Sequence, residues 1–184
     1  MMLEGGKIDW AAHAHDAATV VTETIDFDQC IRLAYEFYKK HPDETLILVT
    51  ADHETGGLGL GNSGTNLNIE LQKYQQCSQE ALTNAMRKMK SAVAIPFWEE
   101  MKFFLKKKSK DIVSLYAKDE PLAVAAVALL DKKDSIGWTT KSHTGAPVPL
   151  YVVGKQAHLY SGRRDNTDMA NILRRLFNLK QWEE

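Results

Sequence analysis

Residues 46–57 read LILVTADHETGG. The first four, Leu46-Ile47-Leu48-Val49, are a short apolar run with β-branched residues. Such a run predicts a strand buried on both faces. Asp52, His53 and Glu54 then stand side by side before Gly56 and Gly57. Packing gives no reason for a buried strand to end that way. The alternatives are a polar loop start and a chemical site at a strand tip.

The flanking segments set the fold class. Residues 26–40, DFDQCIRLAYEFYKK, carry Ile31, Ala34, Tyr35 and Tyr38 at helical spacing, with Asp26 or Asp28 for the N-terminus and Lys39-Lys40 for the C-terminus. A helix followed by a buried strand predicts an α/β sandwich, doubly wound. Residues 1–25 read as a polar loop, helical in part from Asp9 on. After Gly57 the chain turns Gly- and Asn-rich, with a weak alternation over 67–71 that suggests a short strand. Helices are predicted over 78–90 with Ser78 as N-cap, over 96–108, and over 119–131. Residues 59–137 thus form a mostly helical insertion, with lysine-rich solvated faces. The α/β character returns with LYVVG, a second strand in AHLYSG, and a closing helix over RRDNTDMANILRRLFNL. Asn166 or Thr167 would cap that helix, and Met169, Ile172, Leu173, Leu176 and Phe177 would form its apolar face. The expected division is 1–58 with 138–184 as the core, and 59–137 as the insertion.

Bulk properties bound the function. The 184 residues suffice for one domain with a core. A net charge of -1 gives no electrostatic case for nucleic acid or an anionic membrane surface. The apolar run Leu122 to Leu130 is too short to span a bilayer. Cys30 and Cys77 form no CxxC pair and read as ordinary thiols.

Candidate ligands fall in three places: Glu4, Asp9 and His13; then Asp52 and His53; then His143. On a helix Asp9 and His13 stand four apart and share a face, so both reach one ion. A carboxylate with imidazoles suits zinc at about 2.0–2.2 Å. Asp52 and His53 would diverge on a strand but converge where the backbone turns, and Gly56 and Gly57 permit a turn. In open α/β sheets, sites collect at the carboxyl ends of strands.

Three phrases taken in order, EGGKID with the following His13, then LVTADHETGG, then SHTGAPVPLYVVG, closely resemble the C-terminal half of the alkaline phosphatases. The match is strongest with bacterial members that carry Trp at the position of Trp10. The resemblance covers residues 3–58 and 138–179; in the middle segment the family places variable insertions. It implies two zinc ions and a magnesium-type third position. Asp9, His13 and His143 would hold the first zinc, Asp52 and His53 the second, and Glu4 the Mg²⁺. Trp10 stands where other members carry Lys or His, and would shape the substrate pocket. His15, Asp16 and Glu54 are further candidates for orienting the ligands.

The same resemblance implies hydrolysis of phosphate monoesters through a phosphoserine. The family's Asp-Ser-Ala/Ser nucleophile phrase has no counterpart in this sequence. The expectation is a C-terminal fragment, inactive alone, that binds at most one zinc usefully. The intact enzyme would be periplasmic or secreted. A strand edge beside TLILVTA predicts self-association as a homodimer or cover from the insertion. Two other readings stand beside this one: another hydrolase of the same superfamily, such as a phosphodiesterase or mutase, and a non-catalytic metal-binding module.

Overall fold

The computed structural model describes residues 1–62, 64, 67–89 and 119–179. In chain order the elements are α1 (Gly6–His13), α2 (Ala17–Lys40), β1 (Leu46–Val49), β2 (Glu54–Thr55), β3 (Gly59–Leu60), a 3-10 segment (Ile69–Tyr74), α3 (Gln79–Met89), α4 (Asp119–Lys133), β4 (Ile136–Gly137), β5 (His143–Thr144), β6 (Tyr151–Gly154), a second 3-10 segment (Ala157–Tyr160) and α5 (Asn166–Leu176). This is an α/β fold in which the described strands form small two-stranded sheets. The expected helix over 96–108 lies outside the described residues.

The chain divides into two compact units. One comprises Met1–Phe27 with Thr55–Gly145, the other Asp28–Glu54 with Ala146–Glu184.

The first unit holds most of the interior. Met86, Leu122 and Ala123 are buried together where α3 packs on α4, with Leu82 and Ala126 half-buried against them. Removing a side chain such as Leu122 from water stabilises the fold by roughly 1.5–3 kcal/mol. Ser78 begins α3 as expected: its Oγ accepts from the Ala81 N–H at 3.2 Å. Two expectations fail here. The first concerns the stretch before Phe27, which is helical from Asp9 on as allowed but already from Gly6, and continues as the first half of α2 rather than as a polar loop. The break between these helices is His15, held at φ 57°. Asp16, 1% exposed, then opens α2. Its carboxylate accepts from the Thr19 N–H (3.1 Å) and Thr19 Oγ1 (2.8 Å). It also takes the Gln79 N–H at the start of α3 (2.7 Å) and Gln75 Nε2 (2.6 Å). One carboxylate thus serves two helix N-termini, where negative charge is stabilising. The second failure is the strand suggested over 67–71, which is the 3-10 segment Ile69–Tyr74. Its Gln72 is buried and donates through Nε2 to Asp131 (3.2 Å) and Asp134 (2.9 Å). Residue 72 is fixed by a buried polar network, which weak alternation does not reveal.

In the second unit β1 pairs antiparallel with β6, Leu46 opposite Gly154 and Val49 opposite Tyr151. β1 is half-buried along its length, not buried on both faces as its sequence predicts. Among the described residues its sheet has only two strands, so one edge of β1 carries no partner. Gly154 sits at φ +112°, and a Cβ there would meet the Thr45 carbonyl oxygen, so the residue must be glycine. AHLYSG is a 3-10 segment, Ala157–Tyr160, not a strand. α5 is capped by Asp165, one residue before Asn166 and two before Thr167, the expected caps. Asp165 Oδ1 accepts from the Thr167 N–H at 3.0 Å, and Asp168 reaches back to the Asp165 N–H at 3.2 Å, a reciprocal capping box. Of its expected apolar face, Met169, Ile172, Leu173 and Leu176 are half-buried and Phe177 is exposed.

Candidate metal centre

Three of the predicted ligands meet in the first unit. α1 brings Asp9 and His13 onto one face, four residues apart, and β5, after the β4–β5 connection, brings in His143 as its first residue. His13 Nε2 lies 3.4 Å from Asp9 Oδ1 and 3.2 Å from His143 Nε2. His143 Nε2 lies 3.8 Å from the same Asp9 oxygen. Tetrahedral zinc with bonds of about 2.0–2.2 Å has neighbouring ligand atoms about 3.3–3.6 Å apart. The three separations, 3.2, 3.4 and 3.8 Å, lie within about 0.2 Å of the edges of such a tetrahedron. The two rings are tilted at 43° with centroids 5.0 Å apart.

The surrounding groups fix the ligand atoms. His13 Nδ1 is 2.6 Å from the Lys141 carbonyl oxygen. A carbonyl only accepts, so Nδ1 carries the proton, and Nε2 of the neutral ring presents its lone pair toward Asp9 and His143. Thr55 Oγ1 donates to Asp9 Oδ1 at 2.6 Å and is itself buried. Metal-binding groups are commonly held by outer hydrogen bonds of this kind. Thr55 thus holds the Asp9 carboxylate, a contact that sequence reasoning passed over. Its place inside the DHETGG phrase, two residues from His53, was the available signal.

Gly56 and Gly57 form a turn, both at positive φ, directly after β2, and Gly56 does more than turn the chain. The Gly56 N–H donates to the Ser142 carbonyl (3.0 Å), and the Gly56 carbonyl accepts from the Thr139 and Thr140 N–H groups (2.9 and 3.1 Å). Gly56 lies at φ +85°, and a Cβ there would come within 2.7 Å of the Trp138 ring and 3.1 Å of the Ala12 carbonyl oxygen at the end of α1. This glycine seats the His143 loop against α1. His15 reinforces that seat: its ring stacks on Trp138 (centroids 4.9 Å, planes 8° apart) and its Nε2–H donates to the Thr140 carbonyl at 2.6 Å. Neither His15 nor Asp16 orients a ligand directly: His15 holds the loop and Asp16 holds two helices.

In the second unit Asp52 and His53 turn toward each other: His53 Nε2 is 3.2 Å from Asp52 Oδ2, and the His53 N–H donates to Asp52 Oδ1 at 3.1 Å. The Asp52 side chain is 86% exposed, whereas that of His53 is 28% exposed. Glu4 is exposed ahead of α1, and Trp10 is 70% exposed on it.

A different group of acids lies under the trio's scaffold. Asp131 and Asp134 are 2% and 0% exposed. Burial pushes the Asp131 carboxyl up to about 6, against lowering by hydrogen bonds from Trp138 Nε1 (2.7 Å) and Gln72. Burial also raises Asp134. The Trp138 indole thus faces Gly56 and His15 and is tethered to α4.

Comparison with known proteins points one way. The family model for alkaline phosphatases matches residues 1–179. Alkaline phosphatase 4 of Bacillus subtilis is 33% identical over 94% of this chain and 38% of its own length. Alkaline phosphatase 3 of the same organism is 31% identical over 98% of this chain and 40% of its own. The crystal structure of a cold-active alkaline phosphatase from a psychrophilic Shewanella superposes with a TM-score of 0.81 at 30% identity, covering 94% of this chain and 44% of that one. This chain spans about two fifths of the length of the curated relatives it matches.

Proposed function

The chain belongs to the alkaline phosphatase family, and from that premise we propose that it forms the C-terminal part of a zinc- and magnesium-dependent phosphomonoesterase. The observation that carries the reading is the trio Asp9, His13 and His143, with ligand atoms 3.2–3.8 Å apart and the His13 Nδ1–H donating to the Lys141 carbonyl. In this reading those three hold the first zinc. Three protein ligands leave one coordination position open, the pattern of catalytic zinc sites. A zinc there supplies Lewis acidity to a phosphoryl oxygen and lowers the pKa of an oxygen nucleophile or leaving group.

The chain's own residues do the rest. Thr55 holds the Asp9 carboxylate, Gly56 and Trp138 hold the loop that carries His143, and Lys141 holds the His13 tautomer. Asp52 and His53 hold the second zinc, and Glu4 gives one carboxylate to Mg²⁺, a hard cation that suits oxygen. Trp10, exposed on the helix that carries Asp9, limits how a phosphate ester approaches. The serine nucleophile of a phosphoserine route has no matching phrase in this sequence. It comes from the remaining part of the fold, and the chain alone does not turn over. The complete enzyme works in the periplasm or outside the cell.

The test is activity by reconstitution. Joined to the rest of an alkaline phosphatase fold, the chain hydrolyses p-nitrophenyl phosphate and loses that activity to a chelator. No hydrolysis by a folded, zinc-loaded fusion defeats the reading; preference for a phosphodiester moves it elsewhere in the superfamily.

A further inference from the structure

Asp131 and Trp138 are seven residues apart, on opposite sides of the boundary that the sequence draws between insertion and core. Asp131 lies in the last turn of α4. The chain then passes Ser135, at φ 58°, and β4 before it reaches the indole. The Trp138 Nε1–H donates to Asp131 Oδ2 at 2.7 Å. This bond ties the root of the loop that carries His143 to the interior of the helical segment.

The far end of that loop has little cover: Lys141, Ser142 and His143 are exposed. Its placement therefore depends on what holds its root. Thr139, Thr140 and Ser142 bond to the Gly56 backbone, and Thr140 also accepts from His15. The indole lies against Gly56 and stacks on His15, the two residues whose bonds fix 139–142. Where the indole sits decides where those bonds sit. It thereby decides where His143 Nε2 stands relative to Asp9 and His13.

Stability is a poor reason for a carboxylate at position 131. Asp131 is 2% exposed, Asp16 and Asp134 beside it carry like charge, and burial pushes its carboxyl up to about 6. A neutral oxygen would satisfy an indole N–H without the cost of burying a charge. A carboxylate makes the stronger hydrogen bond. Groups kept against the demands of stability collect at functional sites.

We infer that Asp131 is a positioning residue for the first metal position: through its bond to Trp138, the helical insertion holds His143 in register with Asp9 and His13. The inference rests on the reading of that trio as a zinc site. It makes the insertion a working part of the metal centre. The grouping of Thr55–Gly145 with Met1–Phe27 in one compact unit agrees with it.

The experiment measures zinc affinity of the full chain against a chelating dye, and amide hydrogen exchange of the metal-free chain. Asp131→Ala removes the acceptor. Trp138→Phe keeps a ring for His15, removes the N–H, and tests the same bond from its other end if Asp131→Ala does not fold. Each should weaken zinc binding about tenfold. Each should speed exchange at the Thr139 and Thr140 N–H groups about tenfold. The double variant should be no worse than either single one, because both remove one bond. Asp131→Asn keeps an acceptor oxygen and should restore both readouts. Cobalt(II) in place of zinc should show an altered visible spectrum in Asp131→Ala, a change of ligand geometry that lost stability alone does not produce. Asp134→Asn alters a buried neighbour that makes no bond to the indole, and should leave zinc affinity as in wild type. Three results overturn the inference: both readouts unchanged in Asp131→Ala and Trp138→Phe; losses that add in the double variant; or an equal loss in Asp134→Asn. A wild-type chain that binds no zinc defeats the zinc reading of the trio, and the exchange rates at Thr139 and Thr140 still decide whether Asp131 holds the loop.

Discussion

Asp131→Asn should flatten the pH dependence of stability, and the structure gives the size and sign. Asp131 is 2% exposed, with Asp134 and Asp16 as negative neighbours and only neutral donors, Trp138 and Gln72, on its oxygens. Its carboxyl is pushed up from 3.8 to about 6, chiefly by burial. The folded state therefore binds this proton more tightly than the unfolded state. The group's stabilising contribution is fully present below pH 3.8, is lost as pH rises, and is gone above about 6. Two pKa units at 1.36 kcal/mol each give about 3 kcal/mol. Allowing for partial water access leaves about 2 kcal/mol. Asparagine keeps the shape and cannot ionise. Its amide meets Gln72, whose Oε1 is buried without a hydrogen-bond partner and so can face it after an amide flip. The cost of repacking is a pH-independent offset of about 1 kcal/mol. Urea unfolding at several pH values from 4 to 7 measures both terms. The difference between wild type and variant should change by about 2 kcal/mol over that range, with wild type losing more as pH rises. Parallel curves would refute the reasoning, because they would mean that Asp131 ionises in the fold as easily as in the unfolded chain.

Gly56→Ala forces a Cβ into Trp138 at a φ of +85°; the left-handed backbone and the clash together should cost about 2–4 kcal/mol by denaturant unfolding. Gly145→Ala, with nothing within 4 Å, should stay within about 0.5 kcal/mol of wild type. Thr55→Val keeps volume and removes the hydroxyl that donates to Asp9. Zinc affinity, measured against a chelating dye, should fall about 10- to 100-fold while the unfolding midpoint of the metal-free chain hardly moves.

The parts of this molecule that follow local rules were readable in the sequence. Ser78 caps α3 as its residue type predicts. Asp9 and His13 share a helix face because four residues make about one turn. The α/β class followed from one helix and one apolar strand, and the structure keeps both. What escaped was set by partners distant in sequence. The polar stretch ahead of Phe27 is helical because Asp16 is buried against Gln75 and Gln79, some sixty residues on. Ile69–Tyr74 coils because Gln72 bridges two buried acids of α4 and its end. Glycines 56 and 57 were legible as turn formers, but their closeness to Trp138 and Thr139 was not. For the same reason Thr55 could not be singled out beside Glu54 until Asp9 was seen next to it.

The most direct test is a zinc titration of the chain against a competing fluorescent chelator. The account predicts one tightly bound zinc per chain, with His13→Ala, His143→Ala and Asp9→Ala each lowering affinity at least tenfold. Zinc binding that is equally tight in all three variants, or absent in the wild-type chain, would contradict it.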